Sequence, residues 1–325
     1  MSGQAGSALR WGILSTARIN EEVLPAFRTS DAAELVGVAS RDTARAREYA
    51  ERHGIPTSYG SYEALLEDAS IDCVYLPLPN ALHYKWTRAA LEAGKHVLCE
   101  KPLTPTAEEA RSLFELASER GLRLMEAFMY RHHPKTKRLR EIVQSGVLGD
   151  VEVIRSWFHF KTDEPASDIR YDPSLAGGSL RDVGCYCISL ATYLHNRAPD
   201  RVEGTARWSS SGVDEAFAAT MSFGEQSVAV FDCGMFSPLD VGVKVLGTNG
   251  NATVRSPWYA HMAPLEIELH IDGQTSTIST PGANAYQLEI DNFCDAITGR
   301  GAPEIQPDET LRNLEVMERL ERTVR

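Results

Sequence analysis

The sequence predicts an α/β protein: an N-terminal Rossmann domain with a doubly wound parallel sheet, then an α+β domain with a large, mostly antiparallel, open-faced sheet. Three observations predict it. Short apolar strands alternate with amphipathic helices as far as residue 127, a pattern that right-handed crossovers turn into a parallel sheet. From Val151 onward the residues instead alternate with the two-residue period of half-buried strands. At 325 residues the chain exceeds one ordinary core. That places a dinucleotide-binding domain at 1–129 and a substrate-binding and oligomerisation domain at 130–325.

In the first half, Leu9–Leu14 reads as a strand, and Arg18–Phe27 as a helix from the spacing of Ile19, Val23, Leu24 and Phe27. Further strands are expected at Glu34–Ala39, Asp72–Leu76, His96–Cys99 and Arg123–Ala127. Thr43–His53, Tyr62–Leu66, Asn80–Ala93 and Thr106–Arg120 read as helices. Gly54, Gly94 and Gly121 are placed as stops, and Asn80 as an N-cap. In the second half a helix is expected at 135–145, then strands at Val151–Phe160, Ala206–Trp208, Ala216–Phe223, Ser227–Cys233, Gly242–Gly247, Asn251–Val254, Leu265–Ile271 and Ser276–Ser279. Gly250-Asn251 and Asp272-Gly273 read as hairpin turns. Helices at Ala285–Thr298 and Asp308–Arg322 close the chain.

Composition removes several function classes. A net charge of −12 argues against nucleic acid or an anionic membrane as partner. No apolar run approaches the ~20 residues of a membrane span, and residues 1–7 form a polar tail without the features of a secretory signal. The six cysteines form no Cys-x-x-Cys pair and lie mostly in apolar runs, the pattern of reduced thiols in a cytoplasmic protein. Among the nine histidines there is no His-Glu-x-x-His, so no metal site is expected.

The chemistry-bearing stretches begin at the first strand–helix turn, Gly12-Ile13-Leu14-Ser15-Thr16-Ala17-Arg18-Ile19-Asn20. Against the dinucleotide fingerprint Gly-x-Gly-x-x-Gly, the three positions read Ser15, Ala17 and Asn20. Serine and alanine are the smallest side chains after glycine, so close approach of a phosphate survives, and the Ser15 hydroxyl can bond one of its oxygens. An ordinary tight turn is the alternative. Where NAD binders carry an acidic residue for the ribose, this chain reads Ser40-Arg41-Asp42, with Arg45 a turn later. A hydroxyl and guanidinium groups suit a 2′-phosphate, hence NADP over NAD. Asp42 fits best as the N-cap of the next helix.

Next comes Glu100-Lys101-Pro102, where proline stiffens the backbone and holds Lys101 at the carboxyl end of a strand, the edge where open α/β sheets bind ligands. At the domain junction, Tyr130 and Arg131 suit a polyhydroxylated or anionic ligand. Later, the loop Asp168–Ser179 leads into a helical pattern on which Asp182 and Tyr186, four apart, share a face. An acceptor and a phenol together suit a sugar hydroxyl pair. The alternative has Asp182 capping the helix and Tyr186 packed with its hydroxyl bonded.

Gly12-Ile-Leu, Pro77-Leu-Pro79-Asn80-Ala-Leu-His83 and Glu100-Lys101-Pro102, in this order and spacing, resemble the Gfo/Idh/MocA oxidoreductase family. The resemblance runs from residue 9 to the end, strongest to residue 187. A tyrosine at 186, Glu126-Ala-Phe-Met and the Asp-x-Arg-x-Asp-Pro pattern starting at Asp168 resemble one branch. That branch holds dihydrodiol dehydrogenase, NADP-dependent D-xylose 1-dehydrogenase, glucose–fructose oxidoreductase and deoxysugar ketoreductases. Gly12, Ser15, Thr16, Ala17, Arg18, Ile19, Ser40, Arg41 and Arg45 are the residues expected at the cofactor's phosphate and ribose end. The resemblance puts Pro77, Leu78, Pro79, Asn80 and His83, with Glu100, Lys101 and Pro102, at its nicotinamide end, Lys101 facing the substrate.

The expected reaction is hydride transfer between nicotinamide and a ring carbinol or carbonyl of a sugar, polyol or cyclic diol, possibly nucleotide-linked. Tyr186 would move the hydroxyl proton, with Lys101 lowering its pKa from the ordinary ~10. Asp182 would orient the substrate, with Arg170, Tyr130 and Arg131 around it. A homodimer or homotetramer is expected through the open sheet face, where Val228, Val230, Phe231 and 241–246 gather apolar surface. Two other readings are a non-catalytic nucleotide-binding sensor or scaffold, and a glycoside hydrolase that uses bound nicotinamide transiently.

Overall fold

A computed structural model describes residues 8–162, 167–259 and 262–324. The polar tail at 1–7 lies outside the described residues. The elements in chain order begin β1 (Leu9–Leu14), α1 (Asn20–Thr29), β2 (Ala33–Ala39), α2 (Thr43–His53), β3 (Thr57–Tyr59), α3 (Tyr62–Leu66) and β4 (Cys73–Leu76). There follow α4 (Asn80–Glu92), β5 (His96–Glu100), α5 (Ala107–Glu119) and β6 (Leu124–Ala127). The second half holds α6 (Pro134–Gln144), β7 (Val151–Lys161), α7 (Cys185–His195), β8 (Arg201–Trp208), β9 (Asp214–Phe223) and β10 (Ser227–Gly234). It ends with β11 (Phe236–Gly247), β12 (Gly250–Val254), β13 (Leu265–Ile271), β14 (Gln274–Thr280), α8 (Ala285–Thr298) and α9 (Pro307–Thr323).

The chain divides into two compact units, the first made of residues to Leu103, Glu108–Met129 and Tyr286–Pro307. Its six strands pair in parallel in the order β3-β2-β1-β4-β5-β6. The order reverses between β1 and β4, and in such sheets ligands bind at the carboxyl ends beside that reversal. Ser15, Pro77 and Lys101 follow the carboxyl ends of β1, β4 and β5. The edge strand β3 has no expectation behind it, since three residues carry no readable period. Asn80 does not cap α4; Pro79 is the N-cap, its fixed φ of −59° serving the helix start. Helix α8, which the sequence reading places in the second domain, packs in the first unit. There its Phe293 ring lies 5.7 Å from that of Trp11, and Asp291 bonds Ser30 at 2.5 Å.

The second unit comprises Thr104–Ala107, Tyr130–Ala285 and Asp308–Arg325. Its eight strands run β14-β13-β12-β11-β7-β10-β9-β8, every pair antiparallel except β7 with β10. Asp272-Gly273 forms the β13–β14 turn with φ of 50° and 75°, as expected. The other expected turn is displaced: Gly250 and Asn251 are already in β12, paired with Ile271 and His270. The turn falls on Thr248-Asn249, whose amides bond Asp150 and Leu148 carbonyls. Phe231 also departs from expectation. The two-residue period puts it with Ala229 and Cys233 on the covered face, while Val228 and Val230 stand half-buried on the other. On that other face the Trp157 indole lies over Gly242, where a Cβ would come within 2.2 Å of the ring.

Candidate active site

In the first unit, β1 delivers the turn that follows it. Ser15 has φ of 145°, a backbone state that favours glycine. It thus stands at the first fingerprint glycine position in both place and conformation. The Asn20 amide, fully buried at the start of α1, donates to the Ser15 carbonyl at 2.9 Å. Thr16, Ala17 and Ile19 are partly exposed and Arg18 is exposed. Gly12 serves otherwise than assigned: it is buried inside β1, and a Cβ there would meet Leu65 of α3 at 2.7 Å. It is a packing glycine.

At the end of β2, Asp42 accepts from the Arg45 amide at 2.9 Å and so caps α2. That bond fixes one carboxylate oxygen at the helix start and leaves its charge in place. Ser40, Arg41 and Arg45 remain as hydroxyl and guanidinium donors, Arg45 also reaching the Thr16 carbonyl at 3.5 Å. Tyr62 of α3 joins them, a residue whose sequence context reads only as packing. Burial raises its phenol pKa, and Arg41 and Arg45 oppose the shift, as do bonds to Ser15 and Arg41. This donor set fits a phosphate monoester.

After β4 and β5, two loops are fixed by buried side chains. His83 is fully buried, with Nε2 2.6 Å from the Leu78 carbonyl and Nδ1 2.8 Å from that of Pro102. Burial pushes its pKa down to about 4, against the pull of both carbonyls and with the Lys101 charge adding to the push. A neutral ring donates to one of these carbonyls only, and His83 lies buried between the Pro77–Pro79 and Glu100–Pro102 loops rather than presenting itself to a cofactor. Glu100 is likewise engaged inside the protein, accepting from the Tyr75 hydroxyl at 2.6 Å and the Lys101 amide at 3.3 Å. Glu126 accepts from the Leu103 amide at 2.9 Å. The Lys101–Pro102 peptide is cis. The stiffness expected of Glu-Lys-Pro thus comes from His83, Glu100 and Glu126 as well as from the proline.

In the second unit, the helix expected after Leu180 is not a plain α-helix. Leu180–Gly184 forms a π-helical turn, carrying Asp182, before α7 carries Tyr186. Such wider turns occur frequently at functional sites. Asp182 does not cap it. The cap comes from Asp214 at the start of β9, whose carboxylate accepts from the Leu180 amide at 2.7 Å and the Ser179 hydroxyl at 2.8 Å. Gly178, with φ of 116°, passes so close that a Cβ would sit 2.1 Å from Asp214. Burial raises the Asp214 pKa to about 6, opposed by the bonds from Leu180 and Ser179.

Asp182 pairs instead with Arg170, Nε to Oδ2 at 2.8 Å, and Asp168 holds the other side of the guanidinium at 3.2 Å. Tyr186 packs in an aromatic group, its ring 5.5 Å from Phe158, 5.6 Å from Tyr130 and 5.8 Å from Trp258. Tyr259 is in reach of the Asp182 charge; burial chiefly raises its phenol pKa, and Asp182 adds to the rise. Lys135 of α6 pins this segment through the Ser256 and Tyr259 carbonyls at 2.5 and 2.8 Å, and burial pushes its ammonium pKa down to about 7. Nothing in the sequence marks Asp214, Lys135 or Trp258, because each acts across a long loop closure.

Tyr130 and Arg131 are not at a ligand surface. Tyr130 is fully buried and donates to Ser189 at 2.8 Å. Arg131, also buried, pairs with Glu309 at 2.9 Å and stacks on Tyr193 with 3.5 Å to the ring centre. Both belong to the core under α7 and α9. Among the described residues no cluster of metal-ligating side chains occurs, and no helix is long and apolar enough to cross a membrane.

Comparison with known proteins joins the two halves. Residues 9–128 match the family model described as an oxidoreductase family with an NAD-binding Rossmann fold, and residues 136–253 match the GFO/IDH/MocA C-terminal domain. D-xylose 1-dehydrogenase (NADP(+)) 2 of Haloferax volcanii is 40% identical, with 93% of each chain covered. Trans-1,2-dihydrobenzene-1,2-diol dehydrogenase of Sus scrofa is 32% identical over 88% of this chain and 84% of its own. A 3-ketoreductase from Actinomadura kijaniata, solved in complex with NADP and TDP-benzene, superposes with a TM-score of 0.90 at 29% identity, covering 98% of both chains. In sequence and in fold, over nearly its whole length, this chain belongs to the Gfo/Idh/MocA oxidoreductase family.

Proposed function

We propose that this chain is an NADP(H)-dependent oxidoreductase acting on a ring carbinol or carbonyl of a sugar, polyol or cyclic diol, as an aldose 1-dehydrogenase or a sugar ketoreductase. The observation that carries it is the donor set of Ser40, Arg41 and Arg45 at the end of β2, joined by Tyr62, with one Asp42 oxygen bonded to the Arg45 amide of α2. Two guanidinium groups there outweigh the single Asp42 carboxylate toward a 2′-phosphate. The relatives support the substrate class through their printed activities on xylose and a dihydrodiol.

The bound nicotinamide supplies or accepts the hydride. The protein's own residues move the proton and hold the substrate. Tyr186 gives or takes the hydroxyl proton. An ordinary phenol titrates near ~10, and Lys101 is assigned the cationic role that favours the phenolate. Asp182, fixed by Arg170, accepts from a second hydroxyl. A substrate with two adjacent ring hydroxyls uses both groups. The aromatic surroundings of Tyr186 keep water from competing for its proton.

The reading extends to assembly and setting. The half-buried Val228 and Val230 on the outward sheet face support a homodimer, sheet against sheet. Six free, buried cysteines support a reducing, cytoplasmic setting. Sedimentation is expected to give a dimer or tetramer at micromolar concentration; a monomer refutes the assembly. The function is tested by following reduced-nicotinamide absorbance with aldoses, inositols, dihydrodiols and nucleotide-linked keto-sugars, using NADP(H) and NAD(H). Turnover with NADP(H) on one of these classes is expected. Nucleotide binding without turnover across the panel points to a sensor, and sugar release without net absorbance change to a hydrolase.

A further inference from the structure

The first and last fingerprint positions are altered together, and the structure ties them to each other. Ser15 keeps a φ of 145°, which costs a side-chain-bearing residue strain that glycine escapes. Such a state persists only where its surroundings hold it. Here the holder is visible: Asn20, fully buried where the fingerprint has its third glycine, donates its side-chain amide to the Ser15 carbonyl at 2.9 Å. The peptide that follows is planar and trans, so fixing the Ser15 carbonyl also fixes the Thr16 N–H pointing the opposite way. That N–H belongs to the turn whose backbone donors receive the phosphates in this fold.

We propose that Asn20 is a positioning residue for the dinucleotide: by holding the Ser15 carbonyl it keeps serine in a glycine-like backbone state and aims the Thr16 amide at the pyrophosphate. The two departures from the fingerprint are one device. In the standard fingerprint a glycine adopts the turn without help, and the third glycine lets helix and strand approach. In this chain the third position carries a side chain that supports the first. The Asn20 amide is fully buried and bonded to the Ser15 carbonyl, so its effect on the ligand runs through Ser15.

The proposal rests on the NADP reading, and the test separates the two. NADP affinity is measured by titration calorimetry, and the melting temperature of the cofactor-free protein by circular dichroism. Both are read for wild type, Asn20→Ala, Ser15→Gly and the double variant. Asn20→Ala is expected to weaken NADP about tenfold, the scale of one lost hydrogen bond. Ser15→Gly alone is expected to change affinity little. In the glycine background Asn20→Ala is expected to lose much less, because glycine holds the turn unaided. The same rescue is expected in the melting temperatures. Should Asn20→Ala alone fail to fold, Asn20→Ser in both backgrounds reads the same coupling. Equal losses in the serine and glycine backgrounds, with wild type binding NADP, overturn the proposal. Absence of NADP binding by the wild type overturns the cofactor reading, while the melting cycle still decides whether Asn20 supports Ser15.

Discussion

Two turns feed functional helices in this molecule, one in each unit, and they are stabilised in opposite ways. In the first unit the turn from β1 into α1 is secured from within: Asn20 reaches back five residues to Ser15. In the second, the loop entering the π-helical turn is secured from far along the chain, by Asp214 bonding Leu180 and Ser179 across 34 and 35 residues. The first turn carries its strain on a serine. The second uses Gly178, at φ 116°, and spends its difficulty on burying a carboxylate. On the proposed reading the first turn offers backbone amides to a phosphate, which calls for one backbone conformation. On the same reading the second turn places a side chain, Tyr186, at a substrate proton, which calls for a helix start that cannot shift.

The comparison is sharpened first at the second turn's product, Tyr186. Tyr186→Phe is expected to cut turnover by roughly 10²–10⁴-fold, the range for a lost general acid or base, with NADP affinity nearly unchanged by calorimetry. Lys101→Ala is expected to be similarly severe and to raise the basic limb of the pH profile for oxidation. The double variant is expected to lose little more than either single one, since both act on one proton transfer. A near-normal rate for Tyr186→Phe would transfer the proton to Lys101.

At the first unit the expected loss is in binding. Ser40→Ala with Arg41→Ala is expected to weaken NADP far more than NAD, by about one to two decades for each charge-assisted contact. An unchanged NADP preference in a fluorescence titration would remove the phosphate assignment.

The smallest effect concerns stability. Asp214 titrates higher in the folded protein, about 6, than the usual carboxylate. Its protonated form is therefore favoured by folding. The stabilisation is complete below about pH 4 and is lost as pH rises through 6, amounting to at most about 3 kcal/mol. Asp214→Asn, neutral throughout, is expected to gain on the wild type over that window in urea melts. Parallel curves would show that the carboxylate is not buried as described.

These contrasts also explain what the sequence disclosed. The parallel sheet, the antiparallel sheet and the cap at Asp42 are short-range patterns, and each is visible from its own stretch of chain. Lys101 and Tyr186 stood out because proline and helical spacing restrict them locally. The failures lie where the local pattern permits two outcomes. Tyr130 and Arg131 look like a ligand-facing pair in sequence, yet Ser189 and Glu309, at distant positions, draw them inward. His83 carries no local sign that two carbonyls from separate loops enclose it. The π-helical turn is too short for its wider period to be read from five residues, and Asp214, which bonds its start, lies far along the chain.

Helix α8 has a consequence for how the chain is made. The aromatic group under β1 joins Trp11 and Phe27 to Phe293, so the first domain to leave the ribosome emerges without its last wall. Asp291 and Gln287, which bond Ser30 and Thr29, arrive with it after the whole second sheet has been synthesised. The nucleotide-binding half is thus the earlier to begin and among the last to be completed. A polypeptide ended at residue 129 would expose Trp11 to solvent or to a neighbour's apolar surface, and the nascent chain must guard that surface until Tyr286–Pro307 is delivered.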